Sequence, residues 1–274
     1  MDFDHHNVDK VSKPPHRRVA VKIGYRGGRF HGSQRQPGRR TVEGDVIRAL
    51  DSINSTGKES EHGLKAASRT DAGVSALGNV LAFNTSIFDD ASLLRALNAV
   101  CEHVHFLSVA EIDEDRNIRH AKCRYYRYIL PKGDLEVDRM REVAALFQGV
   151  HDFRRFCRDE GRGTVIDLLS IEIHEGDVLS LDFHAQRFLW NMIRRMVAAI
   201  EGVGRGKVPL GDVVRALAGE DLQFGLADPN NLILMDVQYK DLEFKSFQDP
   251  VLERKIEGEV HRARVNLLLH DSML

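Results

Sequence analysis

A carboxylate and a guanidinium lie two positions apart in the segment ASRTDAGVSALGNVLAFNT, residues 67–85. Asp71 follows Arg69, and the sequence after Gly73 becomes apolar and strand-like. A lone carboxylate at the start of a strand can act as a nucleophile or stabilise developing positive charge. A glycosidase-type pair would need a second acid opposite Asp71. None lies nearby in the sequence, and an acid from elsewhere in the chain stays possible.

Arg194 belongs to a helix that we predict over residues 188–203, because its apolar residues recur at helical spacing. Arg187, Asn191 and Arg194 follow at i, i+4 and i+7, which places them on one face of that helix. A solvated arginine fits this pattern. An arginine that lies beside an anion such as Asp71 fits it equally.

The segment CRYYRYIL, residues 123–130, is both basic and aromatic. We predict a strand here with Tyr126 and Tyr128 on one face. Arginines that contact phosphates and tyrosines that stack on bases are typical of proteins that bind single-stranded or flipped nucleotides. A strand with one buried tyrosine face is the alternative.

Arginine-rich clusters are separated from the acidic segments of the chain, although the net charge of the 274 residues is only −2. Such segregation favours a polyanionic partner, because the planar guanidinium fork suits phosphate oxygens. The clusters lie at residues 17–18, 26–40, 154–162, 187–195 and 205–207.

Several classes of site are not supported by the sequence. Three widely spaced cysteines give no disulfide framework and favour a reducing compartment, so we expect a cytoplasmic protein. No apolar run is long enough for a membrane span, and the N-terminus lacks the apolar region of a secretory signal. Neither a phosphate-binding glycine loop nor metal-ligand spacing occurs, so we predict no cofactor and no metal.

Periodicity predicts an α+β fold of short alternating elements. We expect Asp90 to cap its helix and Val100 to point inward. We divide the chain into a flexible lead (1–16), an N-terminal α+β half (17–112), a C-terminal α+β half (113–245) and a helical extension (246–274) packed outside the body. The predicted strands are 19–23, 79–84, 104–112, 123–130, 164–174, 178–184 and 232–239. The predicted helices are 41–53, 90–100, 137–148, 188–203, 210–218 and 250–270.

Five segments occur in the order of the motifs of one known family. They are FHGSQRQPGRRTVEGDVIRAL, SRTDAGV, CRYYRYIL, GVHDFRRFC and FLWNMIRRMVAAIEGVGRG. Together they resemble the TruA family of transfer-RNA pseudouridine synthases over about residues 19–239. The chain departs from the family pattern at Ser75, where a histidine is usual, and at Arg26, where an acid is usual.

The resemblance implies the pseudouridine synthase fold, in which two α+β halves share a continuous antiparallel sheet with a cleft between them. It implies a homodimer without cofactor that isomerises uridines of transfer RNA, with the anticodon stem-loop (nucleotides 38–40) as the expected target. Asp71 matches the catalytic aspartate and Arg69 the arginine that opens the target nucleotide out of the stack. Tyr126 matches the tyrosine that packs on the uracil, and Arg194 the arginine that pairs with the acid.

Two other classes of function stay open at this point. A non-catalytic RNA-binding protein would use the basic clusters and tyrosines but would not need Asp71. A carboxylate-based nucleosidase would release free uracil.

Overall fold

The structure is a computed structural model that describes residues 16–54, 62–161 and 163–273. The first fifteen residues of the predicted lead lie outside these ranges. The described helices are α1 (Val42–Ile53), α2 (Asp90–Val100), α3 (Val137–Phe147), α4 (Met192–Gly204), α5 (Leu210–Leu217) and α6 (Pro250–Asp271). The described strands are β1 (Arg17–Tyr25), β2 (Lys65–Ala66), β3 (Ser75–Thr85), β4 (Val104–Glu111), β5 (Cys123–Pro131), β6 (Gly149–Asp152), β7 (Val165–Glu175), β8 (Val178–Ala185) and β9 (Leu232–Gln238).

One sheet runs through both halves of the molecule in the order β4-β1-β3-β9-β5-β8-β7-β6, with the short β2 paired to β3. The α+β class and the shared sheet are therefore confirmed. The sheet is mixed rather than wholly antiparallel, because β3 and β9 run parallel where Ser75 and Ala76 pair with Ile233 and Leu234. Both strands start at the cleft, so they run away from it in the same direction.

Helices cover the sheet in each half. In the first half, α1 and α2 pack against each other and on β4. In the second half, α3 packs on β7 and contacts α4 and α5. Thr41 caps α1, since its side chain accepts a hydrogen bond from the Gly44 amide. The cap of α2 is Asp89, one residue before the predicted Asp90, and its side chain accepts from the Ser92 amide.

Two expectations about individual helices are wrong. Val100 is 50% exposed rather than inward-pointing, because it is the last residue of α2. The helix predicted over 188–203 starts only at Met192. Asn191 has a left-handed backbone with φ of 62°, which interrupts the helical path and turns residues 188–191 into a loop before α4.

The C-terminal helix α6 packs on α2 at the outside of the first half, as expected. Asp249 caps it, and the Lys255 ammonium donates to the carbonyl oxygens of Asn98 and Cys101 at the end of α2. No residue of α6 is fully buried. Across the described ranges, no helix combines the length and apolarity needed to cross a membrane.

Candidate active site

A cleft of about 700 Å³ contains Asp71. One wall is formed by residues 66–74 and by the loop between β1 and α1. The opposite wall is formed by Tyr126 of β5, by residues 157–160, 163 and 164, and by the turn before α4. The cleft therefore lies between the two halves, at the end of the sheet where β3 and β9 begin.

The loop that carries Asp71 is fixed from the side of β1. The Thr70 amide donates to Ser33 Oγ at 2.8 Å, and the Ser33 amide donates to the Thr70 carbonyl at 3.0 Å. Thr70 Oγ1 also shares a 2.8 Å hydrogen bond with the buried Tyr25 hydroxyl. Gly27 packs directly on the loop, because a Cβ there would lie 2.3 Å from the Gly73 carbonyl oxygen.

Asp71 and Arg194 meet across the cleft. Arg194 Nη1 lies 3.3 Å from Asp71 Oδ2, and the two side chains are 13% and 32% exposed. The guanidinium is itself held, since its Nε donates to the Ala227 carbonyl at 2.7 Å and its Nη1 to Asn191 Oδ1 at 3.3 Å. Because the guanidinium is hydrogen-bonded to two other groups, its positive charge is held beside the carboxylate with little freedom to move.

The residues predicted to share a helix face with Arg194 do not. Arg187 and Asn191 both precede α4, and Arg187 instead donates to the Val165 carbonyl at 3.3 Å. Asn191 still reaches Arg194, but from the turn, where its unusual backbone conformation points the amide oxygen back toward the helix.

Trp190 is a further residue of the site that the sequence analysis did not identify. Its indole Nε1 donates to Asp71 Oδ1 at 3.0 Å, and the Arg158 guanidinium stacks on its ring at 4.2 Å. Trp190 lies within the helix predicted over residues 188–203, and nothing in the helical pattern distinguished it from the neighbouring side chains. The available signal was its rarity, because it is the single tryptophan of the chain.

Tyr126 lies in the cleft wall but is 93% buried. Its ring meets Phe188 edge to face with a centroid distance of 5.3 Å. Burial raises the pKa of the Tyr126 hydroxyl far above its ordinary value, so the phenol stays neutral at physiological pH. The buried-face alternative is confirmed for Tyr126, and the contact of its ring with a base stays a prediction.

Arg69 is exposed at the rim of the cleft and makes no hydrogen bond or ion pair with another described residue. Among the described lining residues, seven arginines outnumber three acids, which suits a polyanion. The arginines are Arg39, Arg69, Arg119, Arg124, Arg158, Arg187 and Arg194.

The predicted basic clusters contribute unequally to this cleft. Arg39 and Arg158 line it. Arg154 and Arg155 are instead ion-paired with Asp152 and Asp221, which neutralises their charge for a distant ligand. Arg162 lies outside the described residues.

A buried arginine in the cleft wall joins the two halves. Arg124 of β5 donates through Nε to Ser68 Oγ at 2.8 Å and through Nη2 to the Ala67 carbonyl at 2.8 Å. It also donates to the carbonyl oxygens of Arg119 and Gln186. The loop of Asp71 is thus fixed from β5 as well as from β1.

Part of the chain matches the sequence profile of a known family, and one solved structure is similar over most of its length. The sequence profile of the family described as tRNA pseudouridine synthase matches residues 143–240. A solved pseudouridylate synthase is similar over 89% of this chain and 75% of its own, with 10% identity and a TM-score of 0.34.

Two curated relatives are similar over most of their length. The tRNA pseudouridine synthase A of Pyrococcus abyssi is 43% identical over 251 residues, which cover 86% of this chain and 93% of the relative. That of Pyrococcus horikoshii is 42% identical over 244 residues, covering 86% and 90%. The chain therefore belongs to the tRNA pseudouridine synthase A (TruA) family. Pseudouridine synthases are isomerases.

Proposed function

We propose that this chain converts uridine to pseudouridine in transfer RNA and that Asp71 is the carboxylate that acts on the target nucleotide. The observation that carries the proposal is the Asp71 carboxylate inside an arginine-lined cleft, with a donor on each oxygen. Family membership supports the reaction and the class of RNA.

The reaction is an isomerisation in which all atoms balance. The C1′–N1 glycosidic bond breaks, the uracil turns, and a C1′–C5 bond forms. The proton leaves C5 and N1 gains one. Since nothing is added or lost, one carboxylate is sufficient as a nucleophile or as an anionic partner for positive charge at C1′.

Arg194 has the role of keeping Asp71 ionised when RNA excludes water from the cleft. Removal of water alone favours the neutral acid, whereas a cation in contact favours the carboxylate. The guanidinium is anchored on Ala227 and Asn191, so it stays beside Asp71 when other groups move.

Tyr126 and Arg69 act on the target nucleotide. The buried Tyr126 ring packs on the uracil while the base turns, and its raised pKa favours this packing role over that of a proton acceptor. Arg69 reaches from the rim to fill the space that the extruded base leaves. Extrusion costs a few kcal/mol, which phosphate contacts from Arg39, Arg158 and Arg187 offset.

Asp71→Asn tests the central role. We expect tritium release from 5-tritiated uridine in transfer RNA to fall by at least about 1000-fold, while RNA binding in a filter assay stays near that of the wild type. Asp138→Asn removes a carboxylate from the exposed face of α3 and is the matched control, with unchanged turnover. Turnover by Asp71→Asn close to that of the wild type would refute the role of Asp71.

The same assays separate the competing functions. A non-catalytic RNA-binding protein would release no tritium and would bind RNA equally with or without Asp71. A nucleosidase would release free uracil, which chromatography of the product detects.

We further propose the anticodon stem-loop as the target and a homodimer as the working unit, both on the strength of the family resemblance. Mapping pseudouridines in transfer RNA from a deletion strain tests the first. Sedimentation equilibrium of the purified chain tests the second.

A further inference from the structure

The two oxygens of the Asp71 carboxylate have partners of different kinds. Oδ2 faces the charged Arg194, which is anchored on two other groups. Oδ1 accepts from the neutral indole N–H of Trp190 at 3.0 Å. A single donor leaves a carboxylate free to rotate about its last bond, whereas donors on both oxygens fix its plane.

Contacts on both sides of Trp190 fix the direction of its indole N–H toward Asp71. The Arg158 amide donates to the Trp190 carbonyl at 2.8 Å, and the Arg158 guanidinium covers the ring at 4.2 Å. On the other side, the left-handed backbone of Asn191 fixes the turn, and the Met192 amide closes it on the Leu189 carbonyl at 3.1 Å. An exposed tryptophan without such contacts would point its ring freely.

We propose that Trp190 is a positioning residue for Asp71. Its indole N–H sets the plane of the carboxylate in the free enzyme. In general, an N–H that donates to a carboxylate stabilises the charged form of the acid. This inference rests on the proposed function, in which Asp71 acts as an anion. It assigns to Trp190 a polar role through its nitrogen, separate from any contact of its ring with RNA.

Several charged and titratable groups surround the pair. Arg194 faces Asp71 from α4, Tyr126 lies near it on β5, and Arg158 faces the indole. Other titratable residues line the same cleft, namely His31, Cys157, Asp159 and Glu160. An acid transition is therefore assigned to Asp71 only where Asp71→Asn removes it.

Two variants separate the nitrogen of Trp190 from its ring. Trp190→Phe keeps an aromatic surface for Arg158 and removes the donor. Trp190→Gln removes the ring and keeps a neutral N–H donor. We expect the acid limb of kcat/KM, measured by single-turnover tritium release, to move up by about half to one pH unit in Trp190→Phe. In Trp190→Gln we expect the acid limb to lie closer to that of the wild type than it does in Trp190→Phe.

Phe88→Leu changes an exposed aromatic residue outside the cleft and controls for general loss of aromatic surface. We expect it to leave the profile unchanged. An acid limb that does not move in Trp190→Phe, or that moves more in Trp190→Gln than in Trp190→Phe, would overturn the proposal.

A second measurement needs no turnover, because Trp190 is the single tryptophan of the chain and all tryptophan emission comes from it. We expect the emission of the wild type to change in one acid step and that step to be lost in Asp71→Asn, with circular dichroism showing that both stay folded. An identical step in both proteins, or no step in the wild type, would show that Trp190 does not contact Asp71 in solution. This result is independent of whether Asp71 proves catalytic.

Discussion

Arg124 and Ser68 are joined by a 2.8 Å hydrogen bond between Nε and Oγ that links β5 of one half to the Asp71 loop of the other. Arg124→Gln removes this bond and leaves the buried carbonyl oxygen of Ala67 and the carbonyl oxygen of Arg119 without this donor. We expect the free energy of unfolding to fall by about 3 kcal/mol, as measured by urea denaturation. Activity of the folded variant falls as well, since the loop loses one of its two supports.

Arg141→Gln provides the matched control for that change. Arg141 forms exposed ion pairs with Asp138 and Glu175, which contribute little to stability. If Arg141→Gln and Arg124→Gln shift the urea midpoint equally, the stabilising role assigned to the buried arginine is wrong.

Arg194→Lys keeps the positive charge but replaces the planar guanidinium with a single ammonium group. A lysine nitrogen cannot reach Ala227, Asn191 and Asp71 together, so we expect kcat to fall by about 100-fold with a smaller change in KM. Single-turnover kinetics at saturating RNA measures this. Arg205→Lys, on an exposed pair with Glu201 at the end of the same helix, is expected to retain full activity. Full activity of Arg194→Lys would mean that a point charge beside Asp71 is sufficient.

Gly27→Ala tests the contact between the β1–α1 loop and the loop of Asp71. The added Cβ meets backbone of Gly73 and Val74 at 2.3 Å, so one loop must move. We expect a loss of about 3 kcal/mol in stability and a marked loss of turnover. Gly28→Ala is the control, because its nearest neighbour is a side-chain atom of Asn230 at 3.9 Å. Equal stability of the two variants would show that the loops are not in rigid contact.

Cys157 lines the cleft, yet we expect its thiol to react slowly. Burial raises the pKa of Cys157 to about 11, so at pH 8 only about one thiol in a thousand is ionised. The rate of reaction with iodoacetamide should therefore rise about tenfold per pH unit between pH 7 and 9.5. The same chain in urea should react at the rate of an ordinary thiol. Rapid labelling of folded protein at pH 7 would contradict the burial of this group.

Local signals in the sequence predicted most elements of the fold. The predictions of β1, β3, β5 and α1 rested on strand-like and helical patterns of apolar residues, and the structure contains all four elements. The parallel junction of β3 and β9 could not be predicted from the residues, because it depends on which of two distant strands start at the same edge. The short β2 and β6 carry too few residues for a periodic pattern.

The residues of the candidate site that belong to sequence motifs could be predicted, whereas the residue positioned by the turn before α4 could not. Asp71 and Arg194 were paired from their motifs, and the structure places them in contact. Trp190 was missed because the helical spacing of the apolar residues gave no sign of the turn at Asn191, whose backbone is left-handed. Arg69 stays a prediction, since its role needs RNA.

The parallel pairing of β3 with β9 has a consequence for synthesis on the ribosome. The edge of β3 from Ser75 to Gly78 is completed by a strand that is made about 150 residues later, or roughly 7 to 30 seconds at ordinary elongation rates. Until then the nascent chain exposes unpaired backbone amides beside an apolar strand, which invites pairing with other chains. Arg194 is itself made about 120 residues after Asp71, so the nascent N-terminal half also lacks the guanidinium that contacts Asp71 in the folded protein.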